Sequence, residues 1–268
     1  MKINSFTNVA KNYTQIVSPY RFSQFLALIH ELKLTGNERV LDIGTGAGIM
    51  SVEVAKSLPN GFLNGIDLSS KMTKMAKKTA EKLKMKNIDF RTASALDLPF
   101  EDGAFDVVVS SNAFPWVPQR ELFLNEVRRV LKPGGRFGLV ALSNDCYKEF
   151  TRTIRKISNQ DPKLFPKGDP FVQMGARLHS LNQLGRIVNK AGFIINKNFK
   201  LSTVENITPE EYLKRINAIV NENYLDHLKS DRQKNRLKNL IYNYLNVKNG
   251  SLNITESSVF VIAGKSAA

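Results

Sequence analysis

The chain of 268 residues has a single cysteine, Cys146, which excludes a disulfide framework and any cysteine-cluster zinc site. Its three histidines, His30, His179 and His227, stand far apart, so no histidine-rich metal site is expected and the metal set is empty. No apolar run reaches the roughly 18 residues that a membrane span requires. The N-terminal MKINSFTNVAKNY lacks the apolar stretch of a signal peptide. Acidic residues are scarce, 24 against 39 Lys and Arg, for a formal charge of +15. Arginine-rich clusters and aromatic–basic interleaving, the marks of a nucleic-acid surface, are missing. The excess is largely lysine. Lys71, Lys74, Lys77, Lys78, Lys82, Lys84 and Lys86 fall in one predicted helix and its exit, which reads as a solvated face. The remaining composition, 42% hydrophobic and 24% charged, is that of a globular protein and excludes disorder along the whole chain. A soluble chain in a reducing, cytoplasmic setting is expected.

Apolar periodicity supplies the organisation. Residues 1–36 read as helical, with Phe22, Phe25, Leu26, Leu28, Ile29 and Leu32 at helical spacing, and Gly36 and Asn37 close the segment. Short apolar strands at 39–43, 62–66, 88–91, 105–110 and 136–142 alternate with helices at 49–58, 69–84 and 119–131. Such alternation argues for an α/β fold with a parallel sheet wrapped by helices. Right-handed crossovers then align the carboxyl ends of the strands along one edge, and ligands bind there, where strand order reverses. Beyond residue 142 the pattern changes. Residues 145–180 are polar and basic, with Pro162, Pro166 and Pro170, and read as a helix followed by an irregular loop. A helix at 180–191 and a strand at 193–201 follow. Thr208-Pro209-Glu210-Glu211 is a helix start, and the helical pattern runs to about residue 245 with a break near 221–223. Residues 258–263 are the last strand.

The segment Val40-Leu41-Asp42-Ile43-Gly44-Thr45-Gly46-Ala47-Gly48 carries the most chemistry. A strand ends in a carboxylate and runs into a glycine loop, which leads into a helix. Glycines let the backbone turn sharply and approach a ligand. Nicotinamide dinucleotides use similar geometry, with G-x-G-x-x-G at a helix N-terminus holding a pyrophosphate. Here the pattern is G-x-G-x-G, with Ile49 at the third fingerprint position. Asp42 puts negative charge at the loop's mouth, which disfavours pyrophosphate and suits a ligand with a cationic amino group. Asp67, in Gly65-Ile66-Asp67-Leu68-Ser69, follows at about the 20-residue spacing of a ribose-binding carboxylate, although Asp is also favoured at helix N-termini. Two further runs complete the set: Ser94-Ala95-Leu96-Asp97-Leu98-Pro99-Phe100 with Asp102-Gly103-Ala104-Phe105-Asp106, and Arg129-Val130-Leu131-Lys132-Pro133-Gly134-Gly135.

With VLDIGTGAG, GIDLS, LPFEDGAFDVVVS and RVLKPGG in this order, the chain resembles class I S-adenosylmethionine-dependent methyltransferases over about residues 37–142. It looks closest to the branch that includes ubiquinone/menaquinone-biosynthesis and small-molecule enzymes. The resemblance implies a Rossmann-like, seven-stranded, mostly parallel sheet with helices on both faces, the last strand antiparallel, plus a helical lid. It implies S-adenosylmethionine as cofactor and S-adenosylhomocysteine as product. Asp42, Gly44, Thr45, Gly46 and Gly48 would face the methionine portion and Asp67 the ribose. Leu68 and Met72 would lie beside the adenine, with Ser94 and Ala95 at its edge. Many relatives have Asp or Asn where Ser94 stands, so the adenine contact is expected to be weaker or water-mediated. Asn112 would reach the methionine end. Phe6-Thr7-Asn8-Val9-Ala10-Lys11-Asn12-Tyr13 resembles the branch's F-x-x-x-A-x-x-Y, in which the tyrosine closes over the cofactor; Tyr13 reads equally as a helix–core contact.

The expected organisation is an N-terminal helical cover (1–36), a cofactor-binding core (37–144), a substrate-side insertion (145–180), a return to the core with a helix and the sixth strand (181–204), a helical lid insertion (205–256) and a final strand with a tail (257–268). Phe114 and Trp116, in the loop after the fourth strand, are candidate substrate contacts, and Trp116 also reads as a packing anchor. Asn112-Ala113-Phe114-Pro115 lacks the D/N-P-P-Y/F/W motif of base-methylating enzymes, which counts against a nucleic-acid acceptor. Methyl transfer from a sulfonium is an in-line displacement that mainly requires positioning and exclusion of water. A general base is needed only for an acceptor that begins protonated; His30, His179 and His227 are the candidates by residue type, with Tyr20 and Tyr13, and His179 carries most weight because it lies beside the irregular 145–180 insertion, although a lone histidine is more often structural. The apolar, aromatic residues of 205–250 suit a small organic or lipid-like acceptor; the rival readings are an RNA or protein methyltransferase using the basic surface and a non-catalytic cofactor-binding protein of the same fold. Peripheral membrane contact and a homodimer both stay open.

Overall fold

The computed structural model describes residues 18–165, 178–220, 225, 228–245 and 250–267. Seven strands form one sheet: β1 (Arg39–Ile43), β2 (Phe62–Asp67), β3 (Ile88–Thr92), β4 (Phe105–Ser111), β5 (Leu131–Leu142), β6 (Ile194–Ile207) and β7 (Leu252–Gly264). Their order is β3-β2-β1-β4-β5-β7-β6, parallel throughout except that β7 is antiparallel to both its neighbours. β1 and β4 pair side by side, Val40 with Val107 and Asp42 with Val109, so the order reverses between them. Their carboxyl ends form the switch point at which this class of sheet binds ligands.

Burial on both faces explains the continuous apolar strands. Val40, Val107, Val109, Val140, Phe260 and Ile262 turn to one face. There they meet Phe25, Leu28 and Leu32 of α1 (Ser18–Leu32) and Val54 and Ala55 of α2 (Ile49–Lys56). Leu41, Ile43, Val108 and Leu139 turn to the other, against Phe123, Leu124 and Val127 of α4 (Arg120–Val130) and Leu184 and Val188 of α6 (Leu181–Lys190). Neighbours such as Val107 and Val108 thus serve opposite cores, as the two-residue repeat of a strand requires. α3 (Ser70–Lys82) begins at Ser69, whose hydroxyl accepts from the Met72 amide. It buries Met72, Thr73, Ala76 and Ala80 and exposes its lysines; all seven between Lys71 and Lys86 are exposed.

β5 starts at Leu131 rather than at residue 136, because Lys132-Pro133-Gly134-Gly135 form a bulge inside the strand; its register against β4 shifts between Phe105 and Val107. β6 and β7 pair from Ile194 with Gly264 to Ile207 with Leu252, whereas β5 meets β7 only between Ser258 and Gly264. Residues 202–207 and 252–257 are therefore a two-stranded ribbon that projects beyond the sheet, where the sequence reading placed the ends of a helical lid. β6 is the sheet edge and most of its side chains are exposed, so it lacks the alternation that marks a half-buried strand.

The ribbon carries α7 (Pro209–Val220) and α8 (Asp231–Tyr244), which pack with α5 (Lys148–Gln160) around a separate core of Phe150, Ile154, Tyr212, Ile216, Leu237 and Ile241. Tyr212 and Ile216, read as an apolar lid surface, are fully buried in holding these helices together. Among the described residues, no helix is long and apolar enough to cross a membrane.

Candidate functional site

The loop from β1 to α2 is built by glycines at positive φ. Gly44 has φ +84, and a Cβ there would meet the Ala113 Cβ at 2.4 Å. The glycine loop thus lies against the loop that follows β4. Gly46 has φ +56 and no atom within 4 Å of a Cβ position, so it borders open space.

The loop amides are bonded within the protein. Gly44 and Thr45 donate to the Ile66 carbonyl at 2.8 and 2.9 Å, and Gly48 to the Thr45 carbonyl at 3.0 Å. The Gly46 amide donates to Asp67 Oδ2 at 3.0 Å, and the Ser69 amide to Asp67 Oδ1 at 2.9 Å. Asp67 is therefore oriented by two backbone donors, and each oxygen keeps a further lone pair. Asp42 is 3% exposed and accepts from Ser51 Oγ at 2.6 Å, while the Ser51 and Thr45 hydroxyls bond each other. Burial pushes the Asp42 carboxyl up to about 6, with a smaller push from Asp67, against the pull of the Ser51 and Thr45 hydroxyls. Burial also raises Asp67, opposed by its two backbone donors. Ser51 was not singled out from sequence; its only signal is its place in the first turn of α2, facing the end of β1.

Asn112 adopts φ +57, a backbone region where Asn is tolerated, and its amide donates to the Val140 carbonyl at 2.8 Å. Its side chain is buried; Nδ2 donates to Ser111 Oγ, but Oδ1 has no partner. Leu68, next to Asp67 in sequence, is 56% exposed, whereas Met72, in the first turn of α3, is buried. Ser94 accepts from the Leu96 amide at 3.1 Å, which leaves its own O–H to donate, and Ala95 is partly buried. The structure thus brings Asp42, Thr45, Gly46, Asp67 and Asn112 to the switch point.

Phe114, expected to face an acceptor, is a core residue instead: it is fully buried with its ring edge-on to Phe123, and Arg120 lies over its face. Trp116 is half-buried against the core of the lid helices, not against the helix that follows it in sequence. His179 pairs as an isolated bridge with Ser143, just past the end of β5, and its ring centroid lies 6.3 Å from that of Phe114. Burial, and then the Arg120 charge, lower the His179 pKa, and its buried Nε2 has no partner. Tyr20 sits in the first turn of α1. Tyr13 and His227 lie outside the described residues. Among the described residues, no cluster of His, Cys, Asp and Glu could hold a metal ion.

The motif runs around the site interlock through Arg129. Its guanidinium donates to both Glu126 oxygens at 2.7 and 2.8 Å, to the Phe100 and Leu98 carbonyls at 2.7 and 3.0 Å, and to Asp102 at 3.0 Å. Glu126 in turn accepts from the Leu98 amide at 2.7 Å. A cleft of about 410 Å³ lies on the lid side, between Arg152, Asn206, Tyr244 and Asn253, and none of the switch-point residues lines it.

Comparison with known proteins places this geometry. Residues 34–192 match a family model described as a methyltransferase domain. The chain is 37% identical over 164 residues to a demethylmenaquinone methyltransferase of Lactococcus lactis, covering 58% of this chain and 65% of that enzyme, just under two thirds of its length. It is 32% identical over 203 residues to the demethylmenaquinone methyltransferase of Staphylococcus aureus, covering 70% of this chain and 83% of that enzyme. Among solved structures, the Haemonchus contortus phosphoethanolamine N-methyltransferase in complex with phosphomonomethylethanolamine and S-adenosylhomocysteine shares the fold. It has a TM-score of 0.63 and 20% identity, covering 99% of this chain and 60% of that one.

Proposed function

Because this chain belongs to the methyltransferase domain family, we propose that it transfers a methyl group from S-adenosylmethionine to a small organic or lipid-like acceptor. The observation that carries the reading is the inward use of the loop amides. Gly44, Thr45, Gly46 and Gly48 spend their N–H groups inside the protein, and two carboxylates stand at the same loop. A pyrophosphate would need those donors and would meet those charges. A ligand with an ammonium group and ribose hydroxyls meets acceptors instead.

When bound, S-adenosylmethionine supplies a methyl group on a sulfonium that is already an activated leaving group. The chain's own residues then bind and orient. Asp67, fixed by two backbone donors, accepts from the ribose hydroxyls, with Leu68 and Met72 beside the adenine and Ser94 and Ala95 at its edge. Asp42 supplies negative charge to the ammonium end, and the unpaired Asn112 Oδ1 accepts there. His179, neutral at pH 7 with a free Nε2, is the residue of this edge suited to take a proton from an acceptor that begins protonated.

A small acceptor, rather than a nucleic acid, is supported by the absence of the base-holding motif at 112–115 and by the solvated spread of lysines on α3. Cys146 is buried, and burial pushes its thiol up to about 12, so it is unreactive; this suits the cytoplasmic setting expected from sequence. The test is calorimetric titration of the purified chain with S-adenosylhomocysteine. Stoichiometric binding is expected, and no binding overturns the reading.

A further inference from the structure

Three side chains on one face of the sheet leave four polar atoms unpaired inside the protein. Gln24 of α1 is 3% exposed, and neither its Nε2 nor its Oε1 is bonded; Glu256 of β7 is 2% exposed and its Oε2 is unbonded; Ser258 is fully buried and its Oγ is unbonded.

The strand and helix registers bring them together. Glu256, Ser258, Phe260 and Ile262 alternate onto one face of β7, and Phe260 and Ile262 pack with Phe25, Leu28 and Leu32 of α1. Leu32 lies over Gly138, which pairs with Ile262, so the earlier turns of α1 lie toward the end where Leu142 pairs with Ser258. Gln24, one turn before Leu28, falls at that end. It is the carboxyl edge of the parallel strands, the edge that holds the switch point. Asn112 is bonded to Val140, and Val140 pairs with Phe260. Two strand spacings across and two residues along put Ser258 about 12 Å from Asn112, within the length of a small organic molecule.

The charges of this corner are defined. Glu256 Oε1 accepts from the Tyr147 hydroxyl and from Arg215 Nη1, the latter at 3.0 Å. Arg215 also pairs with Glu205 and Glu211, both at 2.9 Å. Arg21, one turn before Gln24, adds a second guanidinium whose charge acts on Tyr147. Three carboxylates here face two guanidiniums; on the flanking residues Glu149 accepts from Thr255, and Asp145, bonded to Ser257, is paired with Lys200, so the corner is negative in a chain whose net charge is +15.

Buried polar groups are almost always paired, because leaving one unpaired is costly. Four at one corner, at the edge that holds the switch point, call for a partner from outside the chain. We infer that Gln24, Glu256 and Ser258 form the subsite for the acceptor's polar head, and that this head is a neutral or cationic hydrogen-bond donor, a hydroxyl or an ammonium, rather than an anion. The inference rests on the methyltransferase reading. Gln24 offers a donor and an acceptor side by side, Glu256 Oε2 takes an N–H or O–H, and the residual negative charge repels phosphate or carboxylate.

The experiment uses the full chain saturated with S-adenosylhomocysteine and a set of matched small aromatic probes that differ only in an ammonium, hydroxyl or carboxylate head, with binding read by ligand-observed NMR. Ammonium or hydroxyl probes should bind, and Glu256→Gln should weaken them about tenfold or more while leaving S-adenosylhomocysteine affinity unchanged. Binding of the carboxylate set alone, no binding of donor probes, or donor binding that survives Glu256→Gln overturns the subsite. Gln24→Leu and Ser258→Ala give a readout that needs no probe. If these polar atoms wait for a ligand, removing them raises the melting temperature; if they serve the fold, it falls, and the inference fails. Loss of S-adenosylhomocysteine binding in the unmodified chain would instead count against the methyltransferase reading itself.

Discussion

The backbone amide of Gly46 donates to the carboxylate of Asp67, across 21 residues of sequence. Asp67 thereby locks the glycine loop to the end of β2 and keeps further acceptor capacity beside Gly46, which borders open space. Replacing it removes the proposed ribose acceptor and releases the loop. Asp67→Ala is expected to weaken S-adenosylhomocysteine binding by at least about tenfold, in line with about 1.5–3 kcal/mol for hydrogen bonds to a charged group. Calorimetry reads it directly; an unchanged affinity would defeat the ribose assignment.

Asp42 makes both stability and binding depend on pH. Its folded-state pKa, about 6, lies above the ordinary value of 3.8, so the folded state holds this proton more tightly than the unfolded state. The associated stability is complete below about pH 4 and is lost as pH rises through about 6, on the order of 3 kcal/mol at most. Cofactor binding should run the other way, strengthening from pH 5 to pH 7 as Asp42 ionises to face the ammonium. Asp42→Asn should flatten both trends. Thermal melts and titrations across that range, with persistence of the trends in the variant as the adverse result, decide it.

Two glycines of one loop should respond differently to alanine. At Gly44 the new Cβ meets Ala113 at 2.4 Å on top of the positive φ, so Gly44→Ala should unfold at lower denaturant, by about 2 kcal/mol or more. At Gly46 the Cβ meets nothing, so Gly46→Ala should cost about 1–2 kcal/mol from backbone conformation alone. Its larger effect should be on cofactor affinity, since the methyl group projects into the open space. Equal stability losses, with affinity intact at Gly46→Ala, would contradict this division.

Arg129 ties the 98–102 loop to α4 through two carboxylates and two carbonyls. Arg129→Met keeps much of the stem and removes every guanidinium bond, leaving Glu126 with the Leu98 amide alone and the Phe100 carbonyl without this donor. About 2 kcal/mol of destabilisation is expected, with faster amide exchange at residues 98–102 than elsewhere. Uniform exchange would show that the loop does not depend on the clamp.

The parallel half of the fold was legible because its strands are buried on both faces and its turns are marked by glycine and proline. The site loop was legible for the same reason: Gly44, Gly46 and Gly48 occupy positions where backbone geometry restricts the choice of residue. β6 was legible only as far as residue 201; its continuation to Ile207 was not, because Ser202-Thr203 and Glu205-Asn206 of this edge strand show no apolar face. Phe114 was misread because a ring next to a site and a ring beneath it look alike in sequence. Gln24 and Glu256 carry no local signal at all; only the register of β7 and the direction of α1 bring together residues 232 positions apart.

The ribbon beyond the sheet has one more consequence. The chain departs into its lid at Ile207 and returns at Leu252, and these two residues are partners in one ladder. Entry and exit are therefore a strand spacing apart, and the helices between them pack with α5 around a core distinct from those of the sheet. Such a segment is interchangeable: a shorter turn or a different helical cap could join the same two strands without disturbing β1, β2 or the glycine loop. The lid can diversify while the parallel sheet keeps its chemistry.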